Sequence, residues 1–126
     1  MLKYARKNDP WPFHADVEAA KKSGFGGIIA SGGYSITLGY RSLTGLYNTP
    51  ETAWAFLGGL KWPNLKFHLP VRPGDRLRAR MTIQSKRKSS KPGRGVVTAL
   101  TEMLNQDGDV VYSHEVIFLI ATRPTA

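Results

Sequence analysis

The sequence predicts an α+β fold in which one long, buried helix is followed by a mostly antiparallel sheet that curls around it. Residues 32–47 form a helix-length stretch with a single charged residue, Arg41. The second half of the chain is a series of apolar and β-branched segments separated by turn sequences. The length of 126 residues predicts one domain. Because a helix with so small a polar face has to be covered on most sides, we expect the sheet to wrap it.

The N-terminal segment, residues 1–14, predicts a short polar helix or an extended arm. It ends in the loop 8–14, whose two prolines exclude a regular helix and bias the preceding residues toward extended geometry. Asp16 then occupies the N-cap position of a two-turn helix over 16–22. Acidic residues lie at the start of this helix, lysines at its end and a glycine just beyond, as the helix dipole and the C-cap favour.

The central helix is predicted over 32–47, after a glycine-rich loop that begins at Gly24. Ser31 has the position and the side chain of an N-cap for this helix. Apolar side chains recur along it at helical spacing and therefore share one face: Ile36, Tyr40, Leu43 and Tyr47. We call these four residues the apolar stripe. It predicts the face that packs against the sheet.

Strands are predicted in five segments of the second half: 53–62, 65–71, 75–85, 95–104 and 110–121. Segment 75–85 alternates apolar and polar side chains, which is typical of a strand with one solvated face. The segment 86–94 is predicted to be a polar loop with a Pro-Gly turn. Asp107 and Gly108 form a hairpin signal between the last two strands.

The composition excludes several classes of protein. Without cysteine, the chain has no disulfide, no thiol nucleophile and no thiolate metal ligand. Three histidines with no close pairing leave little material for a zinc site, so we predict no metal and no cofactor. No apolar run approaches the roughly 18 residues of a membrane-spanning helix, and no secretory signal is recognisable at the N-terminus. We therefore expect a cytoplasmic protein.

The net charge of +9 comes almost entirely from one segment. Between Arg72 and Arg94 there are nine basic residues and one acidic residue, and the rest of the chain is close to neutral. Five of the basic residues cluster in the predicted loop: Lys86, Arg87, Lys88, Lys91 and Arg94. These side chains could meet the phosphates of a small carrier such as coenzyme A. Nucleic acid is a weaker alternative, because no aromatic residues interleave with the charges.

Asp9 and His14 are the candidate catalytic residues. A carboxylate and an imidazole held close together can bind one water molecule, so that one group removes a proton while the other donates or receives a second. Imidazole suits this exchange because it ordinarily titrates near neutral pH. The alternative is structural: Asp9 opens an Asx-turn before Pro10, and His14 only lies near the start of a helix.

The start of the central helix is the second candidate site. The backbone N–H groups of Gly32 and Gly33 have no side chains to shield them and could stabilise an anionic oxygen, with Ser31 as the cap. The alternative is that these glycines only let the chain turn tightly into the helix.

The other two histidines have weaker cases. His114 alternates with Tyr112 and Val116 along a predicted strand, which indicates a core or interface imidazole. His68 could line a pocket, although its spacing from other polar residues does not indicate one.

Three segments of the chain occur together in an order that is typical of one family: Asp9-Pro10-Trp11-Pro12-Phe13-His14, Phe25-Gly26-Gly27-Ile28-Ile29-Ala30-Ser31-Gly32 and Pro70-Val71-Arg72-Pro73-Gly74-Asp75. With the hairpin at 104–108, they resemble the MaoC-like dehydratases, hotdog-fold relatives of the (R)-specific enoyl-CoA hydratases. The resemblance covers about 4–123. It implies a long central helix wrapped by a curved antiparallel sheet, and homodimers paired through their sheet edges.

The resemblance also implies a function. Asp9 and His14 would hold a water molecule for reversible addition across the 2,3 double bond of an enoyl thioester, such as enoyl-CoA. The N–H of Gly32, with Gly33, would meet the thioester oxygen, where enolate charge develops. Substrate contacts would come from Ser31 and from four residues of the basic cluster: Lys86, Arg87, Lys88 and Arg94. No cofactor is implied beyond the CoA of the substrate.

The chain departs from the family pattern in three places. Trp11 stands where an Asn is frequent, and Ser31 stands where a His is frequent. Family members also have a strand before the Asp–His motif, so either the sheet lacks an edge strand or the sequence begins late in the domain. Three alternatives stay open: an acyl-CoA or acyl-carrier binding domain without catalysis, a thioesterase, and a basic nucleic-acid module. A thioesterase is disfavoured because 32–47 contains no carboxylate.

Overall fold

A computed structural model describes residues 1–124 of the chain, in which four helices precede a five-stranded antiparallel sheet. The helices are α1 Leu2–Asn8, α2 Pro12–Ala15, α3 Val17–Lys22 and α4 Gly32–Tyr47. The strands are β1 Phe56–Lys61, β2 Lys66–Phe67, β3 Arg78–Lys88, β4 Arg94–Leu104 and β5 Val110–Ala121. The prediction of an α+β fold with one long helix and an antiparallel sheet is confirmed.

The sheet is built on β5, the longest strand, in the order β1-β5-β4-β3. β4 pairs with one edge of β5 along its whole length, and β1 and β2 pair with successive parts of the other edge. Gly108, with φ of 81°, closes the hairpin between β4 and β5, as the Asp-Gly signal predicts. Within residues 1–124, no helix is long and apolar enough to cross a membrane.

The helix caps confirm two predictions. The Asp16 carboxylate accepts hydrogen bonds from the N–H groups of Glu18 and Ala19 at the start of α3. Ser31 is the N-cap of α4, and its hydroxyl accepts from the N–H of Tyr34. α4 begins and ends where predicted: Ser31 caps its start, and Tyr47, the end of the apolar stripe, is its last residue.

The prediction for the N-terminal loop is wrong in one respect. The segment 8–14 is not wholly irregular, because α2 forms a single helical turn that begins at Pro12. Proline is well accepted at the first position of a helix, where its missing N–H would have no intrahelical acceptor. The helical option for the first residues is the correct one, since α1 is an α-helix.

The expectation that α4 is buried on most sides is also wrong. Only Ser35, Gly39 and Leu43 are buried along it, whereas Tyr40 and Leu46 are 49% and 43% exposed. The sheet approaches the side of the helix that carries Gly39. At Gly39 the approach is so close that a side-chain carbon would overlap the Tyr112 hydroxyl.

The predicted loop at 86–94 is shorter than expected and covers only residues 89–93. β3 continues through Lys88, and β4 begins at Arg94, so the basic residues at 86, 87 and 88 lie on an edge strand. Their partners in β4 are apolar or small, Val97, Val96 and Gly95, and this pairing extends the hairpin despite the polar sequence. The turn itself uses Gly93, with φ of 74°.

Two other strand predictions are too long, and a third is displaced along the chain. The predicted segment 53–62 shortens to Phe56–Lys61, and 65–71 shortens to the two residues of β2. The predicted segment 75–85 is strand only from Arg78 onward. Before that point, the N–H of Arg76 donates to the side chain of Gln106 instead of to a neighbouring strand. Local apolar patterns therefore mark these strands but not their ends.

Candidate active site

Asp9 and His14 face each other at the N-terminal end of the molecule. The Nε2 atom of His14 lies 3.7 Å from Oδ2 of Asp9. This distance is too long for a direct hydrogen bond and short enough for one water molecule to contact both atoms. The imidazole side chain is 10% exposed and the carboxylate is 37% exposed. A small molecule can therefore reach the pair from the side of Asp9.

The His14 ring is held in one orientation by the backbone of Ile29. Nδ1 lies 2.8 Å from the carbonyl oxygen of Ile29, and because a carbonyl can only accept, Nδ1 carries the hydrogen and donates it. The N–H of Ile29 in turn donates to the carbonyl of Phe13, so two hydrogen bonds join the two segments. In the neutral ring, Nε2 then has a free lone pair directed at the Asp9 side.

The side chain of Asp9 is not used for the Asx-turn of the structural alternative. The N–H of Trp11 donates to the backbone carbonyl of Asp9 at 2.9 Å, so the turn before Pro12 is closed by the main chain. Asp9 is the C-cap residue of α1, and its own N–H donates to the carbonyl of Ala5. The carboxylate is therefore left for His14.

Aromatic side chains support the histidine. The Phe13 ring meets the His14 ring edge-on, with 4.6 Å between centroids, and also packs against Phe25 at 5.4 Å. His14 and these two rings line a pocket of about 430 Å³, which we call the His14 pocket. Its other walls come from the start of α4 and from the segment around β2.

The start of α4 contributes Gly32 to the same pocket. Gly32 and Gly33 are the first two residues of the helix, so their N–H groups have no acceptor within it. A side-chain carbon at Gly32 would lie 2.7 Å from the Phe67 ring, and one at Gly33 would lie 2.9 Å from the Tyr4 hydroxyl. Both positions therefore need glycine for close packing, and only Gly32 borders the pocket.

Ser31 is 1% exposed, and its hydroxyl caps α4. Direct contact between this hydroxyl and a substrate would require the cap to open. The predicted role of Ser31 in binding stays a prediction, and its observed contact positions the helix start.

His68 also lines the His14 pocket, which its sequence surroundings did not indicate. Its Nε2 is hydrogen-bonded to the hydroxyl of Ser113 at 2.7 Å. The N–H of His68 donates to the carbonyl of Val111, so β5 fixes the position of this residue. Only the pairing of two segments more than forty residues apart brings it to the site, and a local pattern carries no such signal.

The basic cluster lies far from the His14 pocket within one chain. β2 borders the pocket and pairs with Tyr112 and Ser113 of β5. Lys88 pairs with Gly95 of β4, and Gly95 pairs with Ile120, near the other end of β5. Seven residues along β5 correspond to roughly 20 Å. All four predicted substrate contacts of the cluster are exposed: Lys86, Arg87, Lys88 and Arg94. They and the candidate catalytic pair, Asp9 and His14, are not brought together in the single chain.

Comparison with known proteins gives the family. Residues 1–104 match the family model described as MaoC like domain. The MaoC-like dehydratase from Rhodospirillum rubrum is 33% identical, with a TM-score of 0.80, over 98% of this chain and 83% of that chain. The (R)-hydratase from A. caviae, involved in PHA biosynthesis, is 26% identical, with a TM-score of 0.66, over 95% of this chain and 83% of that chain.

A curated relative adds a partial match. Mesaconyl-CoA hydratase from Cereibacter sphaeroides is 32% identical over 77 residues, which are 61% of this chain and 22% of that protein. The likeness in fold extends to a more distant protein with a double hotdog fold, so the arrangement of α4 on the sheet is the hotdog arrangement. The resemblance drawn from the three sequence segments is confirmed: the chain belongs to the MaoC-like domain family.

Proposed function

We propose that this protein catalyses the reversible addition of water across the 2,3 double bond of an enoyl thioester. The observation that carries the proposal is the 3.7 Å approach of His14 Nε2 to the Asp9 carboxylate, with Nδ1 held by the Ile29 carbonyl. Membership in the MaoC-like family supports a hydratase or dehydratase activity in general. Two proteins similar to this chain are a mesaconyl-CoA hydratase and an (R)-hydratase.

The orientation of the ring suggests how the pair divides the work. Water lies between Asp9 and His14, and the free lone pair of Nε2 accepts one of its protons as the oxygen bonds to C3. The Asp9 carboxylate orients the water and stabilises the imidazolium that forms. The same Nε2–H then gives its proton to C2. Water is thus divided into a hydroxyl at C3 and a hydrogen at C2, and the protein returns to its starting state.

The N-terminus of α4 supports the second requirement of this reaction. When hydroxide adds at C3, negative charge moves to the thioester oxygen. Gly32 borders the same pocket as His14, and its N–H, which has no acceptor within the helix, can donate to that oxygen; the helix dipole adds to the stabilisation. Gly33 lies under Tyr4 and, in this proposal, contributes only through the dipole.

The carrier of the thioester is proposed to be coenzyme A. Its phosphates would meet the exposed side chains of Lys86, Arg87, Lys88 and Arg94. Within one chain these lie roughly 20 Å along β5 from the pocket, and we propose that a second copy of the chain in a homodimer supplies them. Homodimer formation and a cytoplasmic location are parts of this proposal.

The test is hydration of crotonyl-CoA, followed by the loss of its absorbance. Asp9→Asn keeps the size of the side chain and removes the carboxylate, and we expect kcat/KM to fall about 100- to 10,000-fold. Asp16→Asn is the matched control, since asparagine caps α3 as well as aspartate does and the site is not touched. Hydration that survives Asp9→Asn unchanged would contradict the assignment.

The non-catalytic alternative gives a different result. A domain that only binds acyl-CoA would show saturable binding of crotonyl-CoA, by calorimetry, with no change in absorbance in the parent protein. Release of free thiol from a saturated acyl-CoA would indicate a thioesterase. Neither is favoured by the site, because α4 carries no carboxylate and the Asp9–His14 pair is open to a water molecule.

A further inference from the structure

Arg72 lies at the rim of the His14 pocket. It follows Val71, which lines the pocket, is 5% exposed, and accepts a hydrogen bond from the N–H of Ala30 at 2.8 Å. Its side chain reaches a second lining residue, because Nη2 donates to the carbonyl of Phe25 at 2.8 Å. The exposed guanidinium is thus attached to the wall of the pocket that contains the candidate catalytic histidine.

Arg72 is held at its backbone and at its side chain. Its N–H donates to Oδ2 of Asp75 at 2.8 Å, and its carbonyl accepts from the N–H of Asp75 at 3.1 Å, which closes a turn. Gly74, with φ of 89°, allows this turn. Gly27 leaves space beside the guanidinium, since even a side-chain carbon there would lie 3.7 Å from Nη1. The guanidinium is therefore positioned and still accessible.

The charge of Arg72 is not neutralised by a neighbouring carboxylate. In residues 1–124 there are three ion pairs, and Arg72 takes part in none of them. The Asp75 carboxylate accepts from the Arg72 backbone and from Nε2 of Gln106. Arg80, by contrast, is paired with Glu102 at 3.0 Å. A guanidinium has five N–H donors, and Arg72 uses one on the pocket wall, so donors remain for an anionic ligand.

The His14 pocket itself offers no cation to a phosphate. Among the described residues, no Lys or Arg lines it. Its volume of about 430 Å³ is at the lower end of small-molecule sites, so the carrier of a thioester has to extend beyond it. In such carriers the long pantetheine arm joins the thioester sulfur to the nearest phosphate. With the thioester between His14 and Gly32, we expect that phosphate outside the pocket, at its rim.

We propose that Arg72 binds the phosphate at the end of the pantetheine arm. This inference rests on the proposed hydration at Asp9 and His14. A planar guanidinium can donate two parallel hydrogen bonds to one phosphate, and one that is already positioned loses little freedom on binding. Coenzyme A and acyl carrier proteins share this phosphate, so Arg72 would serve either carrier. The basic cluster is then left for the other phosphates of coenzyme A.

The experiment compares the hydration of three crotonyl thioesters: those of pantetheine, of 4′-phosphopantetheine and of coenzyme A. In the parent protein, we expect the first phosphate to raise kcat/KM about three- to tenfold, because the contact is charged but exposed. Arg72→Gln should bring this ratio close to one. It should leave the ratio between the coenzyme A and phosphopantetheine thioesters unchanged, since the phosphates that only coenzyme A carries lie elsewhere.

Two further variants separate a specific contact from general attraction. Arg72→Lys keeps the charge without the planar fork and should retain part of the preference for the first phosphate. Arg76→Gln is the matched control: Arg76 is also exposed, its backbone N–H is bound to the Gln106 side chain, and it does not line the pocket. It should leave the ratio at the parent value.

Three results would overturn the inference. One is an equal kcat/KM for the pantetheine and phosphopantetheine thioesters in the parent protein. Another is a loss in Arg72→Gln that is the same for both thioesters, because this is expected if Arg72 only holds the loop at Phe25. The third is an equal fall of the ratio in Lys66→Gln, since Lys66 is exposed beside the lining residue Phe67 and would indicate diffuse attraction.

A measurement without turnover separates this inference from the proposed function. In calorimetric titrations, 4′-phosphopantetheine should bind the parent protein about three- to tenfold more tightly than pantetheine. The difference should shrink in Arg72→Gln and at high salt concentration, which screens an exposed ionic contact. If no thioester is hydrated, the proposed function fails, and this titration still tests Arg72. Equal affinities for the two compounds would overturn the inference and leave the hydration intact.

Discussion

Two buried histidines, His14 in α2 and His114 in β5, differ in what their Nδ1 atoms contact. At His14, Nδ1 donates to the carbonyl of Ile29, and the other nitrogen is directed at a carboxylate. At His114, Nδ1 is buried without a partner in residues 1–124, and only aromatic rings fix the imidazole. The first arrangement is complete before a substrate arrives, as a catalytic group requires. The second leaves a buried nitrogen without a partner among residues 1–124, which costs stability.

The largest effect is expected from the complete histidine. His14→Ala should lower kcat/KM for crotonyl-CoA about 100- to 10,000-fold, since Nε2 is the proposed proton carrier. The double variant with Asp9→Asn should lose little more than the worse single variant, because the two side chains act on one water molecule. Losses that multiply would show that Asp9 and His14 act independently. The measurement is steady-state kinetics on all three variants.

The close contact between α4 and the sheet provides the next comparison. Gly39→Ala places a methyl group against the Tyr112 hydroxyl and should lower the free energy of unfolding by about 1–3 kcal/mol. Gly45→Ala, in the same helix with open space around it, should raise that free energy by up to about 1 kcal/mol. Urea unfolding of both variants checks this. A stabilised Gly39→Ala would mean that Tyr112 is free to move.

Tyr112 should make the protein sensitive to alkaline pH. Burial, with a smaller contribution from Tyr40, raises the pKa of Tyr112 from 10.0 to about 12. Above pH 10 the unfolded chain therefore loses this proton first, and the stability contributed by the neutral phenol is lost as the pH rises toward 12. The loss should reach about 1.4 kcal/mol at pH 11. Tyr112→Phe should remove it, measured as the difference in urea midpoint between pH 9 and pH 11.

The smallest effect is expected from His114 in acid. Burial lowers its pKa below the ordinary value of 6.5, so the unfolded chain binds a proton at a pH where the folded chain does not. The stability from the neutral ring is fully present above pH 6.5 and is lost as the pH falls through the lowered pKa. His114→Phe should have a flatter dependence between pH 7 and pH 5. A slope equal to that of the parent would show that the ring is hydrated.

The sequence predicts the features that depend on neighbouring residues. The cap at Ser31 and the apolar stripe give α4 its bounds, and β-branched runs around Asp107 and Gly108 give β4 and β5 almost to the residue. Asp9 and His14 are five residues apart, so one loop is enough to bring them together. These are local relations, and hydrogen-bonding and periodicity rules describe them well.

Features that depend on distant segments are harder to predict. The strand at Lys86–Lys88 forms because β4 offers it partners, although its own sequence is polar. A cavity of about 790 Å³ lies in front of the apolar stripe, so a stripe that the sequence predicts to be core faces open space. Likewise, the Nδ1 atom of His114 becomes buried without a partner among residues 1–124 only once β4, β5 and α4 are assembled.

The hydrogen bond from His14 to Ile29 has one more consequence. Many catalytic histidines are oriented by a carboxylate, which itself gains and loses a proton. A peptide carbonyl has no such equilibrium, so it holds the same nitrogen protonated in acid and in base. The pH dependence of turnover should then report on the Asp9–His14 pair without interference from an orienting group. Mutation of Ile29 cannot remove this acceptor either, since every amino acid supplies the same carbonyl.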